Sequence, residues 1–233
     1  MDRNVQRLDV LNGGAGYGVD THKVLRNTYW LLALSLLPTV AGAWIGVTTG
    51  AFATMSPGLS VLVFFGGAMA LMFAVRQFRN SAAGVFWLLG FTFFMGLMLS
   101  RLLGVVLHGY SNGAELIMTA FGGTAAVFFG MASLATVVKR DLSNLARFLY
   151  VGVLIAIVAS LANVFFVHSS ALMLTISTAM TAVFSLFILV DVKRVIDGGE
   201  TNYIMATLEI YLDLYNLFQN LLVILTSLTG NRR

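Results

Sequence analysis

Residues 203–228 read YIMATLEIYLDLYNLFQNLLVILTSL, a stretch long and apolar enough to cross a bilayer yet threaded with acids and amides. Glu209, Asp213, Asn216 and Asn220 stand there at i, i+4, i+7 and i+11, a spacing that puts all four on one stripe of an α-helix. Upstream, the apolar run LTISTAMTAVFSLFILVD (174–191) ends on another acid, Asp191. A carboxylate in the middle of a membrane helix costs roughly 2.5–3.5 kcal/mol even on the mildest insertion scale, so such residues face a partner or a wet cavity. The fold and the candidate chemistry both turn on this stretch.

The rest of the chain is of the same kind. Of 233 residues, 58% are hydrophobic and only 10% charged, against about 25% charged in a soluble domain. Lipid is therefore the solvent, and the class is an all-α polytopic membrane protein. The apolar runs are as long as the roughly 20 residues that a spanning helix needs and are too continuous for the alternating segments of an outer-membrane barrel. Cysteine is absent, and the histidines, His22, His108 and His168, are scattered. No disulfide, thiolate nucleophile or paired-ligand metal motif can be built from them, and neither an enzyme nor a resident cofactor is expected. The net charge of +4 does not suggest nucleic acid, because the lysines and arginines flank the apolar runs, where membrane orientation accounts for them.

Ala41-Gly42-Ala43 imitates a signal-peptidase site, but about 26 residues carrying three aspartates precede the first run, and it continues past the site. It reads as a retained helix. Residues 1–26, polar and interrupted by NGGAGYG, read as a flexible tail. Residues 27–230 read as one bundle whose apolar stretches are 27–48, 58–78, 82–107, 114–138, 146–167, 170–194 and 203–228.

Charge sets an expected orientation. The tail and alternate connectors carry Arg3, Arg7, Lys23, Arg26, Arg76, Arg79, Lys139, Arg140, Arg147, Lys193 and Arg194. The other side receives Arg101, Arg232 and Arg233, so the amino terminus is expected in the cytoplasm. Arg232 and Arg233 oppose a full seventh crossing and leave a re-entrant last segment open. Small residues recur every four positions at Gly66, Ala70 and Ala74, at Gly96, Ser100 and Gly104, and at Gly122, Ala126 and Gly130. Such ladders allow close helix approach, within the chain rather than between copies in the simpler reading.

Four segments together carry a resemblance: THKVLRNTY (21–29), AFGGTAAVFF (120–129), KRDLS (139–143) and DGGETNYIMATLEIYLDLYNLFQNLLVIL (197–225). On these the chain resembles the transmembrane BAX inhibitor motif family, in its bacterial YccA-like branch. The resemblance implies a seven-helix inner-membrane fold with a central C-terminal helix. For the family's bacterial members it implies a pH-sensitive calcium leak, in which two aspartates of the last two helices share a proton and an arginine of the second helix latches them. By motif position those residues are Asp191, Asp213 and Arg76. The resemblance also implies association with the FtsH membrane protease, as substrate and modulator, through the amino-terminal tail.

Two positions depart from that pattern. Arg101 lies where the resemblance leads one to expect small or proline residues, and reads as an arginine snorkelling to the outer interface, a vestibule charge or a partner for Glu115. Glu209 adds an acid that the aspartyl pair does not require. Two carboxylates held close cannot both ionise comfortably and titrate as a unit, which makes a proton switch without histidine. Calcium takes six to eight hard oxygens. Asp213 and Glu209, with Asn216 and Asn220 along the ion pathway, would offer a weak and incomplete set.

Geometry presents a test. In a straight hairpin turning near Gly198-Gly199, Asp213 lies about 10 Å deeper than the residue opposite Asp191, so the pair meets only if GGETNY runs extended or along the interface. The plainer reading makes these polar groups bundle glue, at about 0.6 kcal/mol each. An intramembrane aspartyl protease also sets one aspartate on each of two helices. It needs GxGD, whereas Ile210-Tyr211-Leu212 precede Asp213, and Pro38 and Pro57 are the only prolines.

Overall fold

The computed structural model describes residues 3–50, 52 and 55–229, with side chains from residue 21 onward. The described residues form helices α1 (Arg3–Thr49), α2 (Pro57–Phe78), α3 (Ala82–Gly109), α4 (Gly113–Val137), α5 (Ser143–Ala162), α6 (Ser170–Ile196) and α7 (Tyr203–Leu228). A π-helical turn, Asn163–Val167, extends α5. Of the expected flexible tail over 1–26, residues 3–26 form the first part of α1, and residues 1 and 2 lie outside the described residues.

With the π-helical extension counted as part of the α5 span, all seven are long and apolar enough to span a membrane, the shortest at 22 residues, about 33 Å at 1.5 Å per residue. α7 runs unbroken for 26 residues, so the last segment has no turn for a re-entrant path. Local chemistry starts the helices where it should. Ser56 Oγ accepts from Leu59 N (3.4 Å) beside Pro57, Ser169 Oγ from Leu172 N (3.2 Å), and Asn202 Oδ1 from Ile204 N (3.0 Å) and Met205 N (3.1 Å). Before α5, Asp141 accepts from the Ser143 hydroxyl and amide, which hold its carboxyl below the usual carboxylate range.

Asn163 closes the α5–α6 link. Its Nδ2 donates to Ser169 O (3.1 Å) and its Oδ1 accepts from Ser169 N (2.9 Å), while His168 takes the left-handed conformation at φ 51°.

α7 is the central helix. α1, α2, α3, α4 and α6 pack against it, and α5 packs along α6. Ile204, Leu208, Ile210, Tyr211, Leu217 and Leu222 of α7 are buried, against partners such as Val75, Leu88, Phe91 and Ile188. Trp30, Trp44, Phe73, Phe86, Phe148 and Phe166 point outward, as lipid permits. α1 and α3 approach most closely. A Cβ on Gly42 would stand 2.2 Å from Phe93 O, and one on Gly96 would stand 2.1 Å from Thr39 O.

Candidate functional site

The last two turns of α6 and the first half of α7 form the site. Phe187 through Lys193 is a continuous buried stretch, and Ile204 through Leu208 is buried opposite it. Asp191 is 7% exposed and Asp213 is 6% exposed, and their carboxyls lie within hydrogen-bond reach of one another. An O–H is the only donor that two carboxyls can offer one another. Asp213 Oδ2 is buried without a hydrogen-bond partner among the described residues.

The link between the helices explains how they meet. Asp191 lies five residues before the end of α6 and Asp213 ten after the start of α7, an offset of about 7 Å along the axis. Gly198, at φ 76°, turns the chain back, and the amides of Gly199 (2.8 Å) and Glu200 (3.3 Å) donate to Arg194 O. From there the chain crosses to the α2–α3 turn, where Asn202 Nδ2 donates to Arg79 O (2.9 Å) and Asn80 Oδ1 (3.0 Å). The start of α7 is thus tied to the α2–α3 turn, which takes up the offset.

The charged groups around the pair differ from the expected arrangement. Arg76, in the last turn of α2, is exposed and makes no hydrogen bond or ion pair among the described residues, although Glu209 feels its charge. The cation that touches an acid of the stripe is Arg194, whose Nη1 lies 3.4 Å from Glu209 Oε2. Both side chains are partly solvated, so the bond is weak. Lys193, itself buried, pairs with Asp197. Tyr150 of α5, packed edge-on to Phe187 at 4.9 Å, lies within electrostatic range of Asp191, Glu209 and Arg194.

Asn216 and Asn220 turn back onto their own helix, donating to Leu212 O (2.8 Å) and Asn216 O (2.7 Å). Glu209 sits one turn toward the basic side, in a half-buried position. Asp213 and Glu209, the weak calcium candidates, are not joined by a third acid or histidine in metal-ligating geometry among the described residues. Arg101 hydrogen-bonds to Ser60 and makes no ion pair with Glu115.

Sequence reasoning passed over a second polar layer. Tyr211 OH lies 2.8 Å from Thr39 Oγ1 and 3.4 Å from Thr92 O, and Tyr215 OH donates to Met95 O (3.1 Å). The signal was present, since tyrosines at i and i+4 mark one face of α7. Arg194 carried no such signal, because a basic residue at a helix end reads equally as a flank.

Residues 21–230 match the family model described as Bax1-I, inhibitor of apoptosis-promoting Bax1. The chain is similar to a membrane protein of Vibrio cholerae serotype O1, 38% identical over 216 residues that cover 91% of this chain and 93% of the relative. A protein of Neisseria meningitidis serogroup A is 40% identical over 218 residues, covering 91% and 94%. One of Escherichia coli strain K12, named modulator of FtsH protease YccA, is 36% identical over 208 residues, covering 89% and 91%. With seven spanning helices, a match along nearly its whole length and relatives of its own size, this multi-pass membrane protein belongs to the Bax inhibitor family.

Proposed function

We propose that the chain is a proton-sensitive cation leak, permeable to calcium, in the bacterial inner membrane with its amino terminus in the cytoplasm. The observation that carries this reading is the buried Asp191–Asp213 contact beside Glu209. A shared proton leaves one net charge on the pair, and proton gain or loss changes the charge that a nearby arginine meets. Arg194, held on Glu209, and Arg76, across from it on α2, are the cations at this mouth. An arginine drawn onto the pair closes it. Calcium is passing cargo here, since Asp213 and Glu209 supply too few oxygens for a resident ion.

Calcium flux into proteoliposomes between about pH 6 and pH 8 tests the reading. Wild type is expected to show a flux that changes with pH, and Asp213→Asn one that does not. No flux above empty liposomes at any pH would sink it.

A second reading rests on the Escherichia coli relative's name, modulator of FtsH protease: the chain acts on a membrane protease of the FtsH type through its amino-terminal residues. Deleting residues 2–20 separates the two, because a modulator loses its effect on the protease while a leak keeps its flux. Peptide hydrolysis is not proposed. Ile210, Tyr211 and Leu212 give a substrate backbone no small-residue approach to Asp213, and Tyr211 and Ile210 are fully buried.

A further inference from the structure

At the opposite end of the bundle from the acid pair, α2 and α3 enclose a cleft of about 180 Å³. Phe52 and Met55 of the connector before α2 join Val61, Phe64, Phe65 and Met98 in its apolar wall, and Ser60 and Arg101 are its polar side chains. Phe65 is also exposed on the outer surface of the bundle, so the cleft faces lipid. Arg101 lies eight residues before the end of α3, about 12 Å from that helix terminus. Its stem reaches toward the interface and its guanidinium donates through Nη1 to the Ser60 hydroxyl, in the first turn of α2.

Arg101 forms no ion pair among the described residues. Among the described residues the ion pairs are Lys193–Asp197 and Arg194–Glu209, both on the far side of the bundle. The cleft lining contains no carboxylate. A guanidinium carries five donors in a planar fork, and among the described residues the Ser60 hydroxyl is its one acceptor, in a largely apolar groove. Membrane-embedded charges are expected to have a partner. The fork matches two phosphate oxygens at once.

We propose that this cleft binds an anionic glycerophospholipid, with its phosphate on Arg101 and part of one acyl chain along Val61, Phe64, Phe65 and Met98. The charge argument selects the headgroup. A zwitterionic lipid brings an ammonium that finds no carboxylate in the lining, whereas phosphatidylglycerol brings only the phosphate charge and hydroxyls. The site is independent of the acid pair and stands or falls apart from the leak reading.

Native mass spectrometry of the full chain in detergent tests it, with phosphatidylglycerol and phosphatidylcholine of identical acyl chains as probes. Wild type is expected to retain phosphatidylglycerol roughly tenfold more strongly than phosphatidylcholine, whose ammonium sets a like charge near Arg101 and offsets the attraction of the phosphate that both lipids share. Arg101→Gln removes the fork, and Met98→Trp fills the cleft while leaving every charge in place. Each is expected to bring phosphatidylglycerol down to the phosphatidylcholine level, with Arg101→Lys between. Should Arg101→Gln not fold, Met98→Trp and the wild-type lipid comparison still decide. Equal retention of the two lipids by wild type overturns the proposal, as does phosphatidylglycerol binding that survives both folded variants. Inorganic phosphate displacing the lipid at comparable concentration overturns it too, because the site would then be one for a soluble anion.

Discussion

At the scale of single residues, Tyr211 shows what the interior of this bundle asks of a polar group. It is 1% exposed and lies edge-on to Phe91 at 6.0 Å, so its ring is core and its hydroxyl needs a partner. Thr39 Oγ1 already donates to Ser35 O at 2.9 Å, which makes Tyr211 the donor in the 2.8 Å contact between them. Tyr211→Phe therefore removes one hydrogen bond and orphans no donor. A loss of about 0.6–1.5 kcal/mol in unfolding free energy in detergent is expected. Thr39→Val leaves the Tyr211 hydroxyl the carbonyl of Thr92, 3.4 Å away, as an alternative acceptor, so its cost should be no larger. A double-mutant cycle that returned strict additivity would show that the contact contributes nothing. The acids were legible at this scale because a carboxylate in an apolar run announces itself. The Tyr211 and Tyr215 spacing marked one face of α7 but not what that face meets, because a tyrosine is equally at home against lipid, a core or an interface.

At the scale of helices, the apolar runs in the sequence coincide with α2 through α7, α5 taken with its π-helical extension, to within about three residues, because span length is dictated by bilayer thickness more than by packing. The small-residue ladders were legible only as faces. Gly96 and Ser100 of α3 do meet α1, at Thr39 and Gly46, whereas a Cβ on Gly66, Gly104, Gly122 or Gly130 would touch nothing within 4 Å. Periodicity names a stripe and leaves open what lies against it. The two classes give opposite expectations for the same chemical change. Gly96→Ala drives a methyl into Thr39 O, backbone that cannot swing away, and should cost about 1–3 kcal/mol by forcing α1 and α3 apart. Gly104→Ala meets open space and gains helix propensity, so it should be neutral or stabilising by up to about 1 kcal/mol. Thermal unfolding of both variants in one detergent checks this, and equal losses would show that the α1–α3 contact is looser than its geometry.

At the scale of the whole molecule, helices placed in sequence order do not say which residues meet. Asp191 and Asp213 were legible individually, but their contact depended on an offset taken up in 197–202, where Gly198 turns the chain and Asn202 fastens it to Arg79 and Asn80. A straight hairpin would have kept them apart. The same architecture grades the stability of the bundle. α7 is held by five other helices, whereas α5 packs along α6 and turns Phe148, Tyr150, Val151, Leu154, Ile155 and Val158 outward. Few buried contacts mean that a segment opens locally at low free energy, while a central helix exchanges only when much of the molecule comes apart. Hydrogen exchange in detergent is therefore expected to be fastest, among the spanning segments, in α5 and its π-helical extension at Asn163–Val167. It should be slowest over Ile204–Leu217 of α7. Asp213→Asn keeps the shape of the side chain and leaves α5 untouched, so it should change exchange around Asp191 without altering the α5 rate. Protection of α5 equal to that of α7 would mean that the bundle opens as one unit, and that the acid pair could not move without unfolding the helices around it.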